Sequence, residues 1–153
     1  MTNYKNIPEE LKTLPQWVCA NNGSKAPLRA FENGAASSTN PETWADFSTA
    51  AIAVEMGAYD YCGFVFADNG IVGIDIEQGY DDGLISSLAV DIIGRCQSYT
   101  EKSKSGRGFH ILLRGDLPFK GKNNLAGVEI YKAARYFIMT GNTCLLYTSD
   151  AAD

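Results

Sequence analysis

Asp75 and Glu77 stand two residues apart in the run Ile71-Val72-Gly73-Ile74-Asp75-Ile76-Glu77. Side chains of an extended strand alternate between its faces, so both carboxylates leave one side while Ile74 and Ile76 leave the other. Two side chains about 6.6 Å apart along a strand can reach a pair of Mg2+ or Mn2+ ions, which lie roughly 3.5 to 4 Å apart in two-metal sites. On its own such a D-x-E pair is weak. The plainer reading is an exposed strand face that ends in an acidic turn.

His110, the single histidine of the chain, closes Ser103-Lys104-Ser105-Gly106-Arg107-Gly108-Phe109-His110 at the head of the apolar run Ile111-Leu112-Leu113. A lone histidine is usually structural. Here Gly106 and Gly108 carry no side chain, so backbone N–H groups can approach phosphate oxygens, and Lys104, Arg107 and His110 add donors. The segment reads as an anion cradle. It is not a P-loop, because G-x-x-x-x-G-K-[ST] is absent, and Ile111 replaces the third glycine of a dinucleotide fingerprint. Glu129, between Val128 and Ile130, projects from a short apolar strand as a third carboxylate. Arg135 opens Tyr136-Phe137-Ile138-Met139, where it can meet a triphosphate or template phosphate or simply end a strand in solvent.

These residues need elements to hold them. Asn6 to Thr13 suggests a short helix with Asn6 before Pro8 and two acidic residues in its first turn, stopped by Pro15. Gln16 to Ala20 suits a strand, and Asn21 to Pro41, rich in Gly, Ser, Asn and Pro, a long loop. Ser48 is positioned to cap a helix over Thr49 to Met56, closed by Gly57. The runs Phe64 to Ala67 and Ile71 to Glu77, joined around Asp68-Asn69-Gly70, predict a β-hairpin. Apolar residues at helical spacing predict an amphipathic helix over Leu84 to Arg95. Four further strands are expected at Ser98 to Glu101, Phe109 to Leu113, Gly127 to Tyr131 and Tyr136 to Thr140. The pattern is α+β and mainly antiparallel.

A length of 153 residues suits one domain. With 45% hydrophobic and 20% charged residues the composition is that of a folded chain rather than a disordered one. No apolar run approaches the roughly 20 residues a membrane span needs, and the start has no signal-peptide h-region, which argues against secretion and membrane insertion. Cys19, Cys62, Cys96 and Cys144 form no C-x-x-C pair, so they read as reduced, mostly buried thiols. The net charge of -5 provides no overall attraction to nucleic acid, so binding there requires a local patch. The last ten residues, Cys144 to Asp153, read as the translation of a string that resembles the transposase adaptor of sequencing libraries. We expect residues 1–143 to be the domain and 144–153 to be adaptor read-through, loosely ordered and dispensable.

In order, G-I-D-I-E at Gly73 to Glu77, S-G-R-G-F-H at Ser105 to His110, G-V-E-I-Y at Gly127 to Tyr131 and R-Y-F-I-M-T-G at Arg135 to Gly141 resemble one family, the archaeo-eukaryotic primase superfamily. More closely, the chain is similar to the N-terminal catalytic domain of phage and plasmid primase-polymerases, including L-P-Q-W at Leu14 to Trp17 and W-A-D-F at Trp44 to Phe47. The resemblance covers about Ile7 to Asn142, and only the stretch Lys25 to Pro27 matches loosely. It implies a core with a mainly antiparallel, RNA-recognition-like (RRM-like) sheet and a small N-terminal α/β subdomain, with the active site in the cleft between them. It implies that Asp75, Glu77 and Glu129 are the catalytic, metal-binding carboxylates for Mg2+ or Mn2+. Ser105, Arg107, His110 and Arg135 would bind the incoming nucleotide.

The resemblance further implies a DNA primase and DNA polymerase that uses a single-stranded DNA template and nucleoside triphosphates in the cytoplasm of a bacterial host. A helicase-type region would follow in the same polypeptide. Two other classes stay open: a metal-dependent nuclease, though no lysine stands two after Glu129, and a noncatalytic single-strand binder stacking bases on Tyr131, Tyr136 and Phe137.

Overall fold

A computed structural model describes residues 2–123 and 126–143; the expectation for Cys144 to Asp153 lies outside them. The elements run α1 (Glu9–Lys12), β1 (Trp17–Ala20), α2 (Phe47–Glu55), β2 (Tyr61–Ala67), β3 (Ile71–Ile76), β4 (Tyr80–Asp81), β5 (Leu84–Ile85) and α3 (Ser87–Cys96). They continue through β6 (Tyr99–Lys102), β7 (Phe109–Arg114), β8 (Gly121–Asn123), β9 (Val128–Tyr131) and β10 (Ala133–Met139). Every strand pairing among the described residues is antiparallel, which bears out the α+β expectation. No helix there is long and apolar enough to cross a membrane.

Two sheets carry the fold, β1-β2-β10 and β6-β7-β3-β9-β8, beside a two-stranded β4-β5 ribbon. The three-stranded sheet contributes Trp17, Cys19, Phe64, Phe66, Phe137 and Met139 to one core, which also takes Ala50 of α2 and Ile71, Tyr99 and Leu112 of the larger sheet. The other face of the larger sheet buries Ile74, Ile76, Phe109 and Ile111 against Ala89 and Ile93 of α3. Gly73 sits where the two sheets close on each other. A Cβ there would collide with the rings of Phe66 and Phe137, which themselves pack edge-to-face with centroids 4.7 Å apart.

The expected hairpin is corrected. Both strands exist, but β2 lies between β1 and β10 while β3 lies between β7 and β9, so neither has a free edge for the other. Asp68 (φ 54°) and Gly70 (φ 97°) instead turn the chain from one sheet into the next. The corner is tied by Asp68 N–H to the Lys132 carbonyl and Gly115 N–H to the Gly70 carbonyl. Because β10 returns from the C-terminal side to complete the smaller sheet, that unit is not formed by the N-terminal residues alone.

Three boundaries also move. Asp46, not Ser48, caps α2, its carboxylate accepting the Thr49 N–H at 2.9 Å. Ser86 caps α3, so the helix begins after Leu84 and Ile85, which pair with β4. Asn6 does not cap α1; its amide donates to the Gly141 carbonyl across the molecule at 3.0 Å. Cys19 and Cys62 are buried free thiols and Cys96 is half-buried and free, as the isolated spacing implied.

Candidate active site

The antiparallel registers draw one row of residues across the larger sheet. Glu101 of β6 stands opposite His110 of β7, His110 opposite Asp75 of β3, Asp75 opposite Glu129 of β9, and Glu129 opposite Asn123 of β8. Period-two alternation puts this row on the face opposite Ile74 and Ile76, as read from the sequence. The face is not an exposed one, however. It runs from a wholly buried Glu101 through His110, 8% exposed, to half-buried Asp75 and Glu129 at the floor of a cleft of about 940 Å³.

The His110 ring is stacked on Phe137, with centroids 4.4 Å apart and planes at 16°. Its Nε2 is 3.6 Å from Asp75 Oδ1 and its Nδ1 3.5 Å from Glu101 Oε2. Burial disfavours the charged imidazole, but the Glu101 and Asp75 carboxylates and the Ile138 backbone outweigh it and raise the ring's pKa above the ordinary value. Asp75 is shifted upward too. Burial is the main cause, and the neighbouring carboxylates of Glu129 and Glu77 add to it, against the opposing pull of His110 and Arg135.

Glu77 follows directly on β3 and is exposed; its N–H donates to the Gly127 carbonyl, which holds it beside the start of β9 at the cleft. Glu129 is already engaged: its Oε1 accepts the Tyr131 hydroxyl at 2.9 Å and lies 3.4 Å from the Arg135 guanidinium. Arg135 in turn donates to the Tyr131 hydroxyl at 2.8 Å and lies over that ring. A bulge aims it there, since the pairing of β10 with β2 slips between Ala133 and Arg135, with Ala134 in the left-handed region at φ 61°.

The glycine loop differs from the expected cradle. Its N–H groups are spent within the loop, Gly106 N–H on the Ser103 carbonyl, Arg107 N–H on Ser105 Oγ and Gly108 N–H on Ser103 Oγ. Gly108 is needed for another reason: a Cβ there would strike the Ile76 carbonyl and lie 2.9 Å from that of Glu77. The loop therefore packs on the end of the acidic strand. It still presents Ser105 and Lys104 to the cleft, whereas Arg107 is exposed outside the cleft wall and uses its carbonyl to accept from Gly79 and Tyr80.

The cleft thus gathers Asp75, Glu77, Glu129, Ser105, His110 and Arg135, and leaves Arg107 out. Lys25 reaches the opposite wall from the long N-terminal loop, where its carbonyl accepts the Tyr136 hydroxyl at 3.0 Å. Phe137 is buried beneath His110 and Tyr131 lies under Arg135, so neither ring is an open platform for a base. Sequence reasoning missed Glu101. Alternation in Tyr99-Thr100-Glu101 places it on the face of an inward tyrosine, but its contact with His110 depends on strand register, which no local spacing records.

Among the described residues no three His, Cys, Asp or Glu side chains converge into a preformed ion site. The donor set nevertheless fits a hard divalent cation: it is all carboxylate oxygen, and the mutual repulsion that helps raise Asp75 is what a cation would relieve.

No protein-family model matches the chain. Over 141 residues it is 30% identical to a DNA primase-polymerase of Nitratiruptor phage NrS-1, a match that covers 86% of this chain and 20% of that relative. The chain spans about one fifth of the length of the curated relative it matches. Like the resemblance carried by the separate motifs, this similarity covers most of the chain.

Proposed function

We propose, on the premise that this chain is related over most of its length to a phage primase-polymerase, that its cleft performs template-directed nucleotidyl transfer in phage DNA replication. The observation that carries this reading is the cross-strand row that sets Asp75 between His110 and Glu129, in a cleft that Lys25, Lys104 and Arg135 also line. Acidic oxygens at the floor and basic donors around them suit a substrate that is a polyanion. An acidic protein can hold such a substrate through bridging cations and a local basic patch.

Asp75 and Glu77, with Glu129 as the third carboxylate, would hold Mg2+ or Mn2+. Such ions supply charge stabilisation for a 3′-hydroxyl attacking the α-phosphate as pyrophosphate leaves. The chain's own residues bind and orient. Lys104 and Arg135 offer point-charge and fork-shaped donors to triphosphate oxygens. His110, gripped by Phe137 and Glu101, presents Nε2 beside Asp75. Arg135 lies 3.4 Å from Glu129 Oε1 and is half-exposed, so it would be free to turn to a triphosphate once an ion neutralised that carboxylate. The larger sheet with α3 would be the RNA-recognition-like half of a primase core, and the smaller sheet with α2 its other half. A single-stranded DNA template and a downstream helicase-type region complete the proposal.

The test is incubation of the chain with single-stranded DNA, ribo- or deoxyribonucleotides and Mg2+ or Mn2+, with products resolved by length. Products that lengthen with the ion and vanish in Asp75→Asn are expected. Strand cleavage without nucleotides identifies a nuclease, and binding without metal or incorporation identifies a noncatalytic binder. Either overturns the proposal.

A further inference from the structure

Glu101 has none of the uses that normally account for a carboxylate. It is wholly buried in β6, outside the cleft described above. Burying a charge is costly unless it is hydrogen-bonded and paired. Its partners divide into two sets. One set is structural: Oε1 accepts the Tyr99 hydroxyl at 2.8 Å and the Gly141 N–H at 2.9 Å, and Oε2 accepts the Thr140 N–H at 2.9 Å. The Tyr99 bond lies within β6, the Thr140 and Gly141 bonds run from β6 to the residues that follow β10 of the smaller sheet, and together the three hold the carboxylate in one orientation. The other set is His110 alone. Its Nδ1 is buried, has no hydrogen-bond partner within bonding distance, and faces Glu101 Oε2 at 3.5 Å.

We propose that Glu101 is a positioning residue for His110: the anchored carboxylate holds the imidazole by Nδ1 and so directs Nε2 into the cleft for a nucleotide phosphate. This rests on the nucleotide-binding reading of the cleft and adds to it a residue that lies outside the cleft. The geometry supports a directional role. Stacking on Phe137 sets the plane of the ring but not which way it is turned within that plane. A carboxylate on one nitrogen settles the turn, because only one of the two ring nitrogens can face it while the other faces Asp75. The histidine that meets the substrate would thus be aligned from behind by a group that never touches it.

The experiment uses the full chain and Glu101→Gln, which keeps the side-chain volume. The chain has one histidine, so its imidazole proton signals have a single source. In the parent, a buried Nδ1–H held by Glu101 should give an exchange-protected signal, and the substitution should remove it. In steady-state incorporation the variant should raise the KM for nucleotide about tenfold, the scale of one charge-assisted hydrogen bond, with kcat changed less than about threefold. That rise should disappear when both proteins also carry His110→Ala, because the two residues then act through one contact. An equal loss in both backgrounds, or an Nδ1–H signal untouched by Glu101→Gln, overturns the proposal and makes Glu101 a structural anchor only. Should the variant fail to fold, Tyr99→Phe removes a single donor from the carboxylate. It is then expected to give a smaller KM rise, about two- to threefold, that is again absent beside His110→Ala; no rise, or one that persists there, overturns the proposal. A parent chain that incorporates no nucleotide overturns the proposed function instead, and the Nδ1–H signal still decides whether Glu101 holds the ring.

Discussion

Asp75 and His110 are direct partners across the β3–β7 ladder, with His110 Nε2 3.6 Å from Asp75 Oδ1, although 34 residues of chain separate them. The pair joins the acidic and the basic halves of the cleft in a single contact. Its acidic member carries a stability cost, because the carboxylate is partly buried beside two others.

Asp75→Asn should therefore move activity and stability in opposite directions. Incorporation is expected to fall at least about 10²-fold, near 2.7 kcal/mol of transition-state stabilisation. The folded-state pKa of Asp75 is raised, so the folded protein binds more protons than the unfolded chain, and stability falls as pH climbs through the ordinary carboxylate range and past the raised value. Removing the charge should make the variant more stable than the parent at pH 7 without divalent ions, the gap closing in acid. Mg2+ or Mn2+ should raise the melting temperature of the parent and not of the variant. Incorporation assays check the first point, and thermal melts across pH, with and without ions, check the others.

His110→Ala should raise the nucleotide KM and also destabilise the fold, by about 2–4 kcal/mol, because it exposes Phe137 to a cavity and leaves buried Glu101 without its imidazole partner. Urea titration beside nucleotide-dependent kinetics separates the two effects. Normal nucleotide affinity in the folded variant would reduce His110 to a core residue.

Gly108→Ala should be destabilising by about 1–3 kcal/mol, since the new methyl meets the carbonyls of Ile76 and Glu77 rather than solvent. Because those carbonyls belong to the end of the acidic strand, ion-dependent stabilisation should weaken as well. Gly106→Ala meets open space but holds a left-handed φ of 78°, so its cost should come from backbone strain and leave the ion response intact.

Asp46→Ala should cost about 1 kcal/mol through loss of the α2 cap, while Ser48→Ala, which only donates to Asp46, should stay within about 0.5 kcal/mol. Hydrogen bonding from Thr49 lowers the Asp46 pKa below the ordinary carboxylate range. Its contribution is thus complete above the unfolded-state pKa and is lost as pH falls through the lowered folded one, which denaturant melts between pH 6 and pH 2 would record.

Strand alternation alone determined that Asp75 and Glu77 oppose Ile74 and Ile76 and that Glu129 opposes Val128 and Ile130, and helix-end chemistry that Gly57 follows the end of α2; each depends on residues one or a few positions apart, where geometry is nearly independent of context. The motif order across Gly73 to Gly141 singled out Asp75, Glu77, Ser105, His110, Glu129 and Arg135, which line one cleft. Tertiary structure decided the rest, and in each case the cause is non-local. Asp68-Asn69-Gly70 has the chemistry of a hairpin turn, yet it forms a corner between sheets, because β1 and β10 occupy both edges of β2 and β7 and β9 both edges of β3. Glu101 meets His110, and Arg135 meets Glu129, through strand register and a bulge that brings distant segments together. Gly108 looked like an opening for phosphate and proved to be the place where a loop leans on the acidic strand, since its neighbour there lies 32 residues back in the chain.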